Sequence, residues 1–465
     1  MSWIISGGTV VTPWGRQVAD VFVEDGIIQA VGKNLRLLCP KGSEVIDASG
    51  CLLLPGVIDA HVQLEGEYKE TVMTDDFFSG TRAAACGGIT TIIDFAVQPQ
   101  GGHSALQTLK SRRAQADPKV CVDYALHVGI TDPNEMTMQE IRPIMETGVT
   151  SFKCYMTYRQ RGRLVEEPGL LRTMQEVGRQ GGIVEVHAEN NNLVESMTDN
   201  LLAQGRTSSR DFPQSRTDLA EEVAVSTAIL LAQSADCDLY IHHVSSCRTE
   251  ELLRATQTRG GHVLGETCPQ YLVLDDRVYQ REDGARFIMN PPIRGEGSKE
   301  TLWKALAEGV LHTVGTDHCS YTIAQKDQHQ DRFDAVPAGV PGLETLLSLV
   351  YSYGVCAGRI TLEKLTEVLS FNPARIFGLA PQKGLIQPGA DADLVLYDPR
   401  GSHPIRAEEL HMSTDFNAFE GMEVQGSVRM TWLRGEAIYR EGIFLGQAGM
   451  GRFVPGCRQR RARRK

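Results

Sequence analysis

Through the middle of the chain, short apolar runs recur with helix-like or loop stretches between them. They are "GVIDAH", "TTIIDF", "CVDYALHV", "SFKCYM", "GIVEVH", "DLYIHHV", "HVLGET" and "HTVGTD". The intervening stretches include "DDFFSGTRAAACGG" and "LAEEVAVSTAILLAQSA". Strands alternating with helices imply a parallel sheet, and eight units are the number that closes a (β/α)8 TIM barrel. Residues 55–384 are assigned to that barrel. The flanks have another texture. "WIISGGTVVT", "ADVFVEDGIIQAVG" and "SEVIDASGCLLL" alternate apolar and polar positions with Gly and Asp-Gly punctuation, as hairpins do. The same texture returns in "ADADLVLYDP" and "GSVRMTWLRGEAIYREGIF". Residues 1–54 and 385–445 are therefore expected to join in one small β-sandwich domain, discontinuous in sequence. Residues 446–465 make a C-terminal extension whose tail "RQRRARRK" has six basic residues in eight. A solvated end, rather than a basic binding arm, is the expectation for that tail.

Composition narrows the class. A chain of 465 residues exceeds one ordinary core and suits a large barrel with a second unit. Hydrophobic content of 42% and charged content of 23% are those of a soluble globular protein. The longest apolar runs fall well short of the ~20 residues that span a bilayer. The N-terminus has neither a basic n-region nor a small-residue cleavage site, so no membrane or secretory role is expected. Eleven scattered cysteines, odd in number and without a CxxC pair, argue for reduced thiols in the cytoplasm. A net charge of −11 speaks against nucleic acid as the main partner.

The chemistry sits at the strand ends, where barrels of this kind carry their active sites. His61 ends the first strand, Lys153 lies on the fourth, His187 ends the fifth, His243 the sixth and Asp317 the eighth. Taken singly, each has an ordinary reading. A lone histidine is usually structural, a lone lysine snorkels to solvent, and an aspartate can cap the next segment. Taken together, imidazoles and a carboxylate are the ligands zinc prefers, and catalytic zinc keeps one position open for water. Lys153 is the odd member, since an ammonium repels a cation. Burial lowers a lysine pKa, and the neutral amine can take up carbon dioxide as a carbamate, an anionic ligand able to bridge two ions. Gln63 lies two residues beyond His61 and so shares its face, where a second imidazole would read as half of a metal site.

These motifs, in this order, carry a resemblance: "PGVIDAHVQ", "DDFFSGTRAAACGGITTIIDF", "SFKCYMTY", "VHAEN", "IHHVSS", "ETCPQYL", "GTDHCSY", "NPARIFGL" and "KGLIQPGADADLVLYDP". The chain resembles, over nearly its whole length, the hydantoinase and dihydropyrimidinase family of cyclic amidohydrolases, within the amidohydrolase superfamily. The resemblance implies zinc ligands at His61, His187, His243 and Asp317, and an N6-carboxylated lysine at Lys153. It implies an oxyanion-stabilising tyrosine at Tyr158, and it places Gln63 where the family has a further histidine ligand. Substrate-binding positions fall on Asn290, in "NPPIR" where the family has serine, and on Ala338, in "PAGVPGLE" where it has asparagine. The loops "RQRGR" and "LEGEYKE" fall at the pocket lids and are polar here.

The implied reaction is hydrolysis of a cyclic amide or imide, be it a hydantoin, a dihydropyrimidine or a cyclic imide. Metal-activated hydroxide attacks the ring carbonyl, Asp317 serves as general base and then acid, and Tyr158 donates to the oxyanion. A homotetramer or homodimer is implied as well. Gln63 weakens one metal position, so one or two zinc ions are expected, with one tightly bound favoured, and the carboxylation of Lys153 becomes conditional. Three other readings compete. A non-catalytic scaffold with a degraded metal site is opposed by the survival of five of six ligand positions. An aromatic-base deaminase is opposed by Lys153. An imide hydrolase acts on a more electrophilic carbonyl, for which one metal suffices.

Overall fold

The computed structural model describes residues 2–40, 42–68 and 71–458. All eight apolar runs are strands: Val57–Val62, Ile89–Val97, Asp123–Gly129, Ser151–Tyr155, Ile183–His187, Asp238–Ile241, Val263–Thr267 and Thr313–Val314. They pair in sequence order and in parallel. A parallel bridge between Val62 and His318 closes the ring, and the Gln63 backbone N–H donates to the His318 carbonyl at 3.1 Å. This is the (β/α)8 barrel that the alternation predicts. Its strands read as apolar runs because both of their faces are buried. The first helix, Phe77–Cys86, starts where Asp76 and Ser79 cap each other reciprocally, side chain to backbone N–H.

The two chain ends meet in one nine-stranded mixed sheet. Strand Leu52–Pro55 lies inside it, parallel to Ser2–Thr12 and antiparallel to Leu394–Pro404. Its core includes Ile5, Val21, Leu53 and Leu394, and Trp3 stacks on Trp432 at 5.4 Å. Leu52–Pro55 runs through Gly56 straight into the first barrel strand. A Cβ at Gly56 would collide with the Thr90 side chain, so only glycine fits there. The strand that carries His61 is thereby clamped at its base by the small sheet.

Beneath the barrel a second clamp is ionic. The buried Lys383 ammonium lies 2.6 Å from Asp123, 2.9 Å from Asp391 and 2.6 Å from Asp393. Arg434 of the small sheet also pairs with Asp123. Three acids packed this closely resemble a cation site, and Lys383 fills it. The C-terminal extension crosses the same face: the Val454 N–H donates to Tyr124, Gly456 to Gly148 and Cys457 to Gly378. Arg458, the first residue of the basic tail, pairs with Asp238 at 2.8 Å rather than standing in solvent. The rest of that tail, 459–465, lies outside the described residues. Removing one partner of a buried ion cluster costs about 3–5 kcal/mol. Lys383→Met should therefore lower stability by about that amount in urea unfolding. A loss under about 1 kcal/mol would show that the carboxylates are compensated by Arg434 alone.

Candidate active site

The sequence-predicted ligands converge at the mouth of the barrel. Nε2 of His61 lies 3.0 Å from Oδ1 of Asp317. The Gln63 amide donates to the same oxygen at 2.8 Å. The period-two reading of the first strand therefore holds, since both side chains reach one atom. Across the mouth, Nδ1 of His187 and Nε2 of His243 are 3.0 Å apart. Lys153 is buried between these pairs, over the Phe95 and Tyr155 rings at 5.6 and 5.7 Å. Its Nζ has no hydrogen-bond partner among the described residues.

Side chains that sequence reasoning missed hold these residues in place. Glu266, at the end of the seventh strand, accepts from Nδ1 of His61 at 2.6 Å and from the Tyr240 hydroxyl at 2.8 Å, and turns Nε2 of His61 toward Asp317. His242 lies 2.9 Å from the same Glu266 oxygen. The short separations within the trio of His61, His242 and Glu266 are those of hydrogen bonds that orient His61. Glu189 accepts from Nε2 of His187 at 2.6 Å and is itself paired with Arg216. Such carboxylate–histidine pairs fix the ring and its tautomer at metal sites. Glu189 was within reach from the sequence, because it stands two residues beyond His187 in "VHAEN". Glu266 and His242 carry no spacing signal that separates them from ordinary strand residues.

The electrostatics suit a cation. Burial, reinforced by Lys153 and neighbouring charges, pushes the His187 and His243 pKa values well down, so both imidazoles are neutral. Burial opposes ionisation of Asp317, yet His61 holds its pKa below the usual value. Burial lowers Lys153 to about 8 despite Glu185, Glu266 and Asp317, which makes a neutral amine accessible near neutral pH. Burial also opposes a charge on His61, but Asp317 and Glu266 overcome it and raise its pKa to about 10. The two carboxylates that hold a proton on His61 favour a metal cation in its place. Two neutral imidazole nitrogens in contact, an ionised carboxylate and an orphaned buried amine form a donor set of the kind zinc takes. The residues fit the ion.

Above the donors lies a cavity of about 70 Å³ lined by Tyr158, Arg161, Arg163, Asn290 and Ala338, among others. Tyr158 has φ 72° and packs 4.9 Å from the His187 ring. The side-chain oxygen of Asn290 is buried there without a partner among the described residues, an acceptor free for a ring N–H. Both lid loops reach the cavity, "LEGEYKE" through Gly66 and Glu67 and "RQRGR" through its arginines. Lys69 and Glu70 of the first loop lie outside the described residues. A second chamber of about 210 Å³ adjoins and shares Tyr158, Arg161, Asn290 and Ala338 as walls.

An eight-stranded barrel with imidazoles, a carboxylate and a buried lysine at its strand ends defines the architecture of the metal-assisted amidohydrolases. The model of the family described as "Amidohydrolase family" matches residues 52–438. The chain belongs to this family, in its cyclic amidohydrolase branch of hydantoinases and dihydropyrimidinases. D-phenylhydantoinase of Escherichia coli strain K12 is 39% identical over 456 residues, covering 98% of each chain. The crystal structure of dihydropyrimidinase from Brevibacillus agri NCHU1002 superposes with a TM-score of 0.96 at 37% identity over 100% of both chains. L-hydantoinase from Arthrobacter aurescens gives 0.89 at 30% identity, over 97% of this chain and 99% of its own.

The carboxylate behind His187 generates a prediction. Glu189→Gln keeps the shape of the side chain but removes the charge that orients and strengthens the imidazole. Zinc affinity, measured by competition with a chelator, should fall roughly 10- to 100-fold. An unchanged affinity would make Glu189 only the partner of Arg216.

Proposed function

We propose that this chain is a zinc-dependent hydrolase that opens the ring of a cyclic amide or imide at its C–N bond. The observation that carries the reading is the donor set around the orphaned Lys153 amine, lying directly under a cavity with Tyr158 on its wall. His61, His187, His243 and Asp317 would hold the ion, with Lys153 joining them as its N6-carbamate. Bound there, zinc lowers the pKa of water and polarises a carbonyl. Asp317 takes the proton of the attacking water and returns it to the departing ring nitrogen. Tyr158 donates its phenolic hydrogen to the oxygen that gains charge. Asn290 and the backbone at Ala338 orient the ring, Asn290 by accepting a ring N–H.

Gln63 shapes the metal content. Its amide donates to Asp317 and offers no imidazole, so the His61 side of the site has one strong ligand fewer than the His187–His243 side. One tightly held ion per chain follows, with Lys153 at most partly carboxylated. With one ion, an imide, whose carbonyl is the more electrophilic, becomes a better substrate than a plain dihydropyrimidine. The non-catalytic scaffold has less support, because the donors, the amine and the tyrosine are all in place. Among the described residues no helix is long and apolar enough to cross a membrane, and all eleven cysteines are free, which fits a reducing compartment such as the cytoplasm. Assembly as a homotetramer or homodimer rests on the family resemblance alone.

The decisive comparison is wild type against Gln63→His, scored by bound metal and by rates on dihydrouracil, hydantoin, succinimide and glutarimide. Wild type should hold near one zinc per chain and favour the imides, while the variant should gain metal and shift toward hydantoin. Two full equivalents in the wild type, bridged by a carboxylated Lys153, would show the metal count wrong. A metal-free preparation with full activity would end the reading altogether. In the same assays Asp317→Asn should lose about 10²- to 10⁴-fold in rate. Tyr158→Phe should lose about 10²- to 10³-fold, and an unchanged rate would make the tyrosine a packing residue.

A further inference from the structure

The loop that follows Tyr158 carries three arginines, and they do not have the same surroundings. Arg159 is tied down, pairing with Glu195 at 2.5 Å and donating to the Asn192 side chain at 3.0 Å. Arg161 lies over the Tyr158 ring at 5.1 Å. Arg163 is half-buried on the cavity wall, its guanidinium carbon 5.4 Å from the centre of the Tyr155 ring. Among the described residues no carboxylate pairs with it. Several arginines elsewhere do face one, as Arg112 faces Asp94, Arg216 Glu189, Arg294 Glu221 and Arg434 Asp123, whereas Arg82 donates to the His411 carbonyl and Arg113 lies over the Phe453 ring. A guanidinium is never neutral in a protein, so removing it partly from water without an acid partner costs free energy that an incoming anion would return.

The loop is also held in a fixed shape. The Arg163 N–H donates to the Tyr158 carbonyl at 3.2 Å, and the Val165 N–H to the Tyr155 carbonyl at 2.8 Å. Gly162, with φ 62°, makes the turn between Arg161 and Arg163. Both guanidiniums therefore sit on the wall of the same cavity that holds His61, Lys153 and Asp317. The acids on that wall are Asp317, committed to the donor set, and Glu67, exposed at the rim.

We infer that the ring opened here carries a short substituent ending in a carboxylate, which Arg163 receives with Arg161 beside it. This rests on the ring-opening reading above and names the substrate class within it. A planar guanidinium matches a carboxylate in a two-point contact, and Arg163 lines the small cavity next to the donors, where a short arm places the anion. A bulky neutral aryl group would leave Arg163 desolvated and unpaired, so the pocket selects against it. Arg163 is on this view a specificity-determining residue.

The test uses zinc-loaded full-length protein and two isosteric rings, hydantoin-5-acetate and hydantoin-5-acetamide. Both kcat/KM and equilibrium affinity are measured for wild type, Arg163→Met and Arg163→Lys. A charge-assisted contact of this kind should favour the carboxylate by about 10- to 100-fold in both measurements. Arg163→Met should bring the carboxylate-to-carboxamide ratio close to one, while Arg163→Lys should keep part of the preference. Equal treatment of the two rings by wild type, or a preference that survives in Arg163→Met, would overturn the inference. If neither ring is opened, the affinity ratio still decides the matter, and the ring-opening reading fails only if succinimide and glutarimide are left intact as well. If the methionine variant misfolds, the wild-type ratio and the lysine variant decide between the two outcomes.

Discussion

Two carboxylates buried inside the barrel, Glu185 and Glu266, are the constraint on which the rest of the site depends. A carboxylate removed from water persists as an anion only when hydrogen bonds or cations replace its hydration. Glu185 is hydrogen-bonded through Oε2 to His242 at 3.3 Å and has the His127 ring 3.0 Å from Oε1, which has no hydrogen-bond partner among the described residues. Burial works against its ionisation, yet these two imidazoles hold its pKa near 2. Glu266 meets that condition with His61 and the Tyr240 hydroxyl. The Tyr240 oxygen lies 2.6 Å from that of Thr313. Once both anions are fixed, the layer above them must be cationic. A bare site answers with a protonated His61 and a buried lysine. A metal ion answers the same demand with a charge that can also do chemistry.

The donor layer has a backbone cost of its own. Tyr158, His243 and Asp317 have φ of 72°, 38° and 51°, in the left-handed region that residues with a Cβ rarely adopt. Each such residue costs on the order of 1–3 kcal/mol unless its surroundings impose it. All three follow the end of a strand, where the chain would otherwise run out of the barrel mouth. The left-handed turn brings each side chain back over it. Rigidity below makes this possible, because the first strand is clamped through Gly56 to the small sheet and the base is tied by Lys383 and the C-terminal strap.

Much of this was legible in the sequence because strands announce themselves twice, by an apolar run and by a polar residue at its end. The eight runs, the convergence of His61, Lys153, His187, His243 and Asp317, and the union of both chain ends in one sheet all follow from such signals. The supporting layer was not legible for a physical reason. Glu185, Glu266 and His242 act through partners that closure of the barrel brings together from distant parts of the chain, such as His61 on the first strand and Glu266 on the seventh, which do not pair with each other. The Lys383 cluster likewise joins three segments that no local pattern connects. The docking of Arg458 on Asp238 was missed because a run of basic residues looks solvated until its first member finds an acid.

Gln63 is bound into the site by a hydrogen bond, and its chemistry differs from that of an imidazole. An imidazole there would share a cation with His61. The amide instead donates to Oδ1 of Asp317, an oxygen already 3.0 Å from His61. That oxygen now has two donors, which fixes the carboxylate and favours its ionised form. The consequence is a trade between two functions of one side chain. A carboxylate made less basic is a weaker proton acceptor, but one held in place through its Oδ1. A hard, unreactive ring amide demands strong activation and suffers from the loss of a metal ligand. A ring whose carbonyl is already activated suffers less, and gains from a well-aimed proton carrier. On the function proposed above, a glutamine at this position would thin the metal site and narrow the chemistry toward the more reactive rings.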